Sequence, residues 1–361
     1  MWRGARIPAP DLCNLKEYSY IMVSLVTTVL NDRRGAEIFI VQMAAQTRRP
    51  DEIVIVDGGS HDGTWEFLQS LDAEMTRTVN IVTHQEIGCN VARGRDLAIG
   101  RATGNLIVST DVGCKWDSEW LEELVAPLEQ DYAGEVDVVI GSWAVRLEDA
   151  KSDWALVEFA RRYPFRMEAT PGSLGINRAI AYRREVWERV GGYPQDLTLA
   201  ADDVVFDMII RQSKWGFRFA AAPTIRCYWE RHKRLVQFGK EERRNFYGAA
   251  EAGIWLKHFV FVAGRICVEA AALASTVVLV CVPELAAVAL VPMAVFVVSI
   301  VTRLRALAPA AARLREMGVK SRWLKLLAFE YLTKIRGMQG YWSGMWNGAR
   351  HCSTTRKRLK T

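Results

Sequence analysis

The chain has 361 residues, half of them apolar, with seven cysteines and a formal charge of +6. That length exceeds what one hydrophobic core usually fills, so a main domain with an addition is expected. The cysteines, at 13, 89, 114, 227, 267, 281 and 352, make neither a disulfide framework nor a paired-cysteine metal site, which places the catalytic part in a reducing compartment. The basic excess lies mostly after residue 300, behind an apolar hairpin and not along an aromatic groove, so it fits an anionic lipid leaflet and not nucleic acid.

No signal-peptide pattern opens the sequence. The first apolar run, 20–30, follows a mixed polar segment, is too short to span a bilayer and is rich in β-branched residues, as a buried strand is. From there strands and helices alternate. "IMVSLVTTVL", "EIVIVDG", "VNIVTH", "LIVSTDVG" and "VDVVIG" read as strands, and 36–46, 63–71, 91–102 and 118–128 as the helices between them. The alternation predicts an α/β fold, a mostly parallel twisted sheet with helices on both faces, in which ligands sit beyond the carboxyl ends of the strands. Asp57 and Asp111 fall at that edge. A less regular unit follows over roughly 143–228, with the helix "YRREVWERVGGYP" stopped by its glycine pair and "LAADDVVFDMIIRQSKWGFRF", whose acids open a helix.

A basic and aromatic stretch then leads into two apolar pieces, 266–282 and 285–302, joined by Pro283 and Glu284, with 259–264 able to extend the first. Lys257 and Arg265 precede the pair, Arg303 and Arg305 follow it, and the turn holds only Glu284. The positive-inside rule therefore puts both ends, and the catalytic part, on the cytoplasmic side of the inner membrane. A transmembrane hairpin is the preferred reading, with a soluble or interfacial hairpin as alternatives. Arg265 and Glu269, one turn apart, can pair and soften the cost of charge. Beyond residue 306, tryptophans such as Trp323, Trp342 and Trp346 alternate with basic residues, which suits amphipathic helices in the headgroup layer or a solvated helix packed on the catalytic domain. The "RKRLK" tail is expected to be disordered. The expected divisions are 20–141, 142–257, 258–305 and 306–361.

The segment "VIVDGGSHDGT" delivers Asp57 to the sheet edge, and Gly58, Gly59 and Ser60 let a flat ligand approach the backbone. Asp57 can accept hydrogen bonds from a base or ribose, while Ser60 and Asp62 can cap the next helix. GxGxxG and GxxxxGK[ST] are both missing, so dinucleotide and P-loop readings have no fingerprint.

Taken in order, "VSLVTTVLND", "QTRRPDEIVIVDGGSHDGT", "GRDLAIGRATGNLIVSTDVGC", "NRAIAYRREVWERVGGYP" and "LAADDVVFDMIIRQSKWGFRF" resemble the inverting family 2 glycosyltransferases, whose catalytic domain has the GT-A nucleotide-sugar-binding fold. The resemblance covers about 20–247. It implies that Thr28 and Asp57 hold the nucleotide base and ribose, with Leu30 as an apolar floor. Arg95 occupies the family's arginine position, followed by Asp96 where the family has asparagine. Asp111 matches the first acid of the family's DxD motif and Gly113 the second, so Mg²⁺ or Mn²⁺ would rest on Asp111, with His232 as a candidate helper. Asp203 matches the catalytic base and Asp202 its acidic neighbour, since displacing a nucleoside diphosphate needs one carboxylate to take the acceptor's proton. The alternative for this pair is a helix cap. Trp229 and Arg231 resemble a segment near the donor phosphates.

The implied activity is transfer from a nucleotide-sugar donor to a lipid-linked saccharide or lipid acceptor, in cell-surface polysaccharide or glycolipid assembly. Its rivals are direct transfer onto a polyprenyl phosphate, a nucleotidyltransferase on a similar sheet, and an inactive membrane scaffold.

Overall fold

The computed structural model describes residues 21–71, 79–131 and 133–360. Cys13 and the Tyr20 that opens the first expected strand lie outside the described residues. The first half builds β1 (Val23–Val29), α1 (Arg33–Ala44), β2 (Glu52–Asp57), α2 (Thr64–Gln69), β3 (Asn80–Gln85), α3 (Val91–Arg101), β4 (Leu106–Ser109), β5 (Cys114–Trp116), α4 (Trp120–Glu129) and β6 (Val138–Ala144). The second adds α5 (Asp153–Arg162), β7 (Arg166–Met167), β8 (Ile180–Arg183), α6 (Arg184–Val190), α7 (Asp202–Gln212) and β9 (Phe219–Trp229).

Among the described residues the sheet runs β3-β2-β1-β4-β8-β6-β9-β5, with β7 beside β6. The block β3-β2-β1-β4 is parallel, as the alternating pattern predicts. At β8 the sheet turns antiparallel to both β4 and β6, while β6 and β9 are parallel. Strands buried on both faces read as continuous apolar runs, and β2, EIVIVD, is buried at every position. Side chains alternate across such a strand. Leu25, Ile53 and Val108 therefore join Phe39 and Leu121 in one core, while Val26, Val54 and Ile107 join Ala98 and Phe206 in the other.

The chain continues as α8 (Leu235–Ala252), α9 (Leu256–Val280), α10 (Leu290–Glu316), α11 (Arg322–His351) and α12 (Ser353–Arg358). Helices α9 and α10 are long and apolar enough to cross a membrane. Upstream residues do extend the first, and a 3₁₀ turn at Pro283–Leu285 follows it. Arg265 meets Glu269 at 3.4 Å as foreseen, and Glu269 also accepts from Arg303 at 2.7 Å, Ser299 at 2.6 Å and Tyr331 at 2.8 Å. These bonds tie α9 to α10 and α11 with a buried acid whose charge is matched.

Helix α11 lies along α8 through a stripe of glycines. A Cβ at Gly340 would stand 2.0 Å from the Arg243 carbonyl oxygen, and one at Gly344 would stand 2.2 Å from that of Tyr247. The backbones touch only because neither position carries a side chain. Trp342 and Trp346 face outward. The expected division at 141/142 falls inside β6, and those at 258 and 305 fall inside α9 and α10.

The basic tail corrects the sequence reading: it is helical and engaged. Arg356 donates to the Glu251 and Ala250 carbonyls at 2.8 Å each, and Arg358 donates to those of Val190, at 2.9 Å, and Gly192, at 2.5 Å. Helix C-termini leave carbonyls unsatisfied and attract cations, so α6 and α8 give these arginines partners that composition alone does not reveal.

Candidate active site

Parallel strands β1, β2 and β4 end side by side, and the loops beyond them form the site. Asp57 closes β2 and is fully buried. Its Oδ1 accepts from the Gly59 and Ser60 amides and from Gln85 Nε2, each at 2.9 Å, while Oδ2 has no partner among the described residues. A buried carboxylate oxygen without a donor is costly, and a ligand donor at the strand end would satisfy it. Gly59 has φ +98° and a Cβ there would come within 3.1 Å of Ile87, so the loop needs glycine. Ser60 accepts from the Asn31 amide at 2.8 Å and Asn31 from the His61 amide at 3.0 Å, locking the β1 and β2 loops together. Thr28 lies half-buried near the end of β1, and Leu30 is exposed just beyond it. Asp62 accepts from the Thr64 amide at 3.1 Å, but the N-cap of α2 is Gly63, without a side-chain cap bond, so neither Asp62 nor Ser60 is the cap the sequence suggested.

Asp111 follows β4. Its neighbour Thr110 is pinned on both sides, its carbonyl accepting from Thr27 at 2.8 Å and its hydroxyl donating to the Arg178 carbonyl at 2.8 Å. Arg95, on α3 and almost wholly buried, donates to Asp111 Oδ1 at 2.7 Å and also pairs with Asp202. The structure thus brings together Arg95, Asp111 and Asp202, and sets Asp203 beside them. Burial pushes the Asp202 carboxyl up to about 6 against the opposing pull of Arg95, with the Asp203 and Asp111 charges adding to the rise. Asp96 accepts from Trp187, the Tyr193 amide and Gln195, so it ties α3 to the loop after α6.

Neither Asp202 nor Asp203 is the N-cap of its helix, although Asp203 Oδ1 accepts from the first-turn Val204 amide at 2.8 Å. The N-cap of α7 is Ala201, in the left-handed region at φ +70°, and the N-cap makes no side-chain cap bond. A strained non-glycine residue directly before two acids is a feature of functional loops. The loop leading to it is held from several sides. Asn90 donates to the Gln195 and Leu197 carbonyls, Glu251 accepts from Thr198, and Gly248 lets α8 press against the Ala200 carbonyl. The tail adds Cys352, which donates to the Asp196 carbonyl, and Thr355, which binds its carboxylate.

Asp203 opens onto a cleft of about 560 Å³ lined also by Arg162, Arg178, Glu242, Phe246, Trp255 and His258. Arg231 needs a correction. It is buried, its Nε and Nη2 meet Glu158 at 2.7 and 2.6 Å, and its Nη1 and Nη2 meet Glu241 at 3.1 and 2.7 Å. Two buried acids already match its charge, so it has none to offer donor phosphates. His232 likewise leans on Glu241 at 3.4 Å and Phe238, not on Asp111. Trp229 carries two guanidinium groups against its ring, Arg231 at 3.7 Å and Arg178 at 3.6 Å. Sequence reasoning missed Arg178: it sits within "NRAIAYRR", but no pattern there shows that its guanidinium stays without an acid.

Among the described residues no group of three or more His, Cys, Asp or Glu could hold a metal. Asp111 alone offers a ligand at this edge, since one oxygen faces Arg95 while the carboxylate stays 40% exposed. Open space surrounds the position where a Gly113 side chain would stand. That arrangement fits a divalent cation completed by phosphate oxygens and water, and no all-protein cage. All six described cysteines are free.

Comparison with known proteins bears on the family and the fold. Residues 24–191 match the family described as glycosyl transferase family 2. Glycosyltransferase AglE of Haloferax volcanii is 22% identical over 239 residues, 65% of this chain and 74% of AglE. The mannosyltransferase PcManGT from Pyrobaculum calidifontis, solved with GDP-Man and Mn²⁺, superposes with a TM-score of 0.52 at 21% identity over 89% of this chain and 88% of that one. S. aureus TarS is also similar, with a TM-score of 0.42 at 16% identity over 62% of this chain and 38% of that one. Residues 24–191 thus match a family 2 glycosyltransferase domain, within a chain that has a GT-A-like fold and two apolar C-terminal helices.

Proposed function

We propose that the protein is a membrane-attached inverting glycosyltransferase that moves a sugar from a nucleotide-sugar donor to a lipid-linked acceptor at the cytoplasmic face, in polysaccharide or glycolipid assembly. One observation carries the reading: Arg95 gathers Asp111 and Asp202 at the strand ends while Asp203 faces a cleft that reaches Trp255 and His258 beside the first apolar helix. Thr28, Leu30, Asp57 and Gly59 form the nucleotide end, and Trp229 lines the far side.

In this mechanism Asp203 takes the proton of the acceptor hydroxyl as its oxygen attacks the anomeric carbon. The bond from that carbon to the diphosphate breaks on the opposite face, and the nucleoside diphosphate leaves with the electron pair. Arg95 keeps Asp202 ionised and aligned beside the base. Mg²⁺ or Mn²⁺, held by the free oxygen of Asp111, would neutralise the leaving diphosphate. The amphipathic α11, with Trp323, Trp342 and Trp346 on its exposed side, would meet the headgroup layer.

The test is a panel of nucleotide sugars with the detergent-purified chain. Release of nucleoside diphosphate supports a glycosyltransferase; pyrophosphate would indicate a nucleotidyltransferase, and no turnover with any donor a scaffold. Transfer to a polyprenyl phosphate that persists in Asp203→Asn would favour the phosphate itself as nucleophile, since it needs no base.

A further inference from the structure

Arg178 is the unclaimed cation of the site. Its guanidinium rests on Trp229, makes no ion pair with a described acid, and leaves its buried Nε without a hydrogen-bond partner. Arg231, on the same ring, is satisfied by two glutamates. A buried arginine donor with nothing to bind is costly, and an anion in the cleft would repay it.

The shape of the cleft says where that anion's carrier lies. Arg162, Glu242, Phe246 and His258 line both the Asp203 cleft and a second cavity of about 380 Å³. The second cavity continues to Phe259, Phe261 and Val262 on the first turns of α9, where Phe261 is largely exposed. Arg161 and Lys334 pair with Glu330 there, and Arg162 with Glu158 and Glu242, so these charges are matched and Arg178 is left as the cation without an acid among the described residues lining the path. One path therefore runs from Asp203, past the unpaired Arg178, to the apolar start of a candidate membrane span.

Resting on the lipid-acceptor reading above, we propose that this path binds a lipid phosphate, with its phosphate on Arg178 in the Asp203 cleft and its hydrocarbon leaving along Phe259, Phe261 and Val262. A free phosphate would use only the first part of the path and a neutral lipid only the last. The expectation is that both parts act together.

The experiment titrates the full chain in phosphatidylcholine nanodiscs with decyl phosphate, decanol and inorganic phosphate, with empty nanodiscs as reference and UDP and GDP in parallel. Decyl phosphate should bind at least about tenfold more tightly than either fragment. Arg178→Gln should erase its advantage over decanol and Arg178→Lys should keep part of it, while nucleoside diphosphate affinity stays the same. Unchanged decyl phosphate binding in Arg178→Gln overturns the proposal, and so does loss of UDP and GDP binding in its place, which would move Arg178 to the donor. Nucleoside diphosphate binding without decyl phosphate binding to the wild type sinks the lipid-phosphate site and leaves the transferase standing. Binding of neither ligand sinks both.

Discussion

Replacing Arg95 by glutamine tests the electrostatic frame of the site. Arg95 is 4% exposed and is shared by Asp111 and Asp202, so Arg95→Gln leaves buried acid without its cation. Breaking a buried pair in this way costs about 3–5 kcal/mol when the remaining charge must stay ionised. Asp202 has an escape, because it can take a proton. In the wild type its carboxyl sits at about 6, raised by burial and by Asp203 and Asp111 and restrained by Arg95; without the arginine it rises further.

Above about pH 6, Asp202 of the wild type is ionised whether folded or unfolded and adds no slope to stability. The folded variant keeps a proton that its unfolded chain releases, so its stability falls as pH rises, by about 1.4 kcal/mol per unit. The gap between the two proteins should widen by about 3 kcal/mol between pH 6 and 8. Thermal unfolding of both in detergent, without divalent cation, reads it as melting curves that diverge with pH. Curves that run parallel across that range would refute the ion-pair account.

Asp203→Asn keeps an oxygen to accept from the Val204 amide, so folded yield and donor affinity should hold while turnover falls by about two to four orders of magnitude, measured by transfer assay with circular dichroism alongside. Asp111→Asn should weaken Mn²⁺-dependent binding of nucleoside diphosphate and spare metal-free binding; titration calorimetry with and without Mn²⁺ decides it. Gly344→Val drives a side chain into the Tyr247 carbonyl and should cost about 1–3 kcal/mol or more, seen as a lowered melting temperature, whereas the same change at exposed Gly318, if kept to a residue tolerant of its positive φ such as asparagine, should cost little. Membranes carrying the full chain should retain it through carbonate washing, and release into the supernatant would remove the hairpin from the bilayer.

The parallel half of the sheet was legible because its strands are short apolar runs ending in acids, and Asp57 and Asp111 stand where that pattern puts them. Strand β9 was not: FAAAPTIRCYW has no clean alternation, and its place is decided by pairing with β6 some eighty residues earlier. Arg231 was misread for a similar reason. Its neighbour in sequence, Trp229, suggested a phosphate site, while Glu158, 73 residues away, takes its charge. Arg178 shows the converse, since lacking a partner is a property of three-dimensional surroundings and leaves no trace in a string of residues. The tail was judged by composition, which says that clustered charge prefers water; it says nothing of helix ends waiting for donors.

The clamp of Cys352 and Thr355 on Asp196, in the loop before Asp202, gives the chain a temporal order. Proteins emerge from the ribosome N-terminus first, and domains fold as their segments appear. Both catalytic acids and the whole sheet are made before the apolar hairpin, but the residues that brace their loop come after it. A nascent chain therefore acquires a finished site only once the hairpin has been synthesised and has turned back, so that a copy stalled before membrane delivery would hold its donor fold without a settled pair of acids.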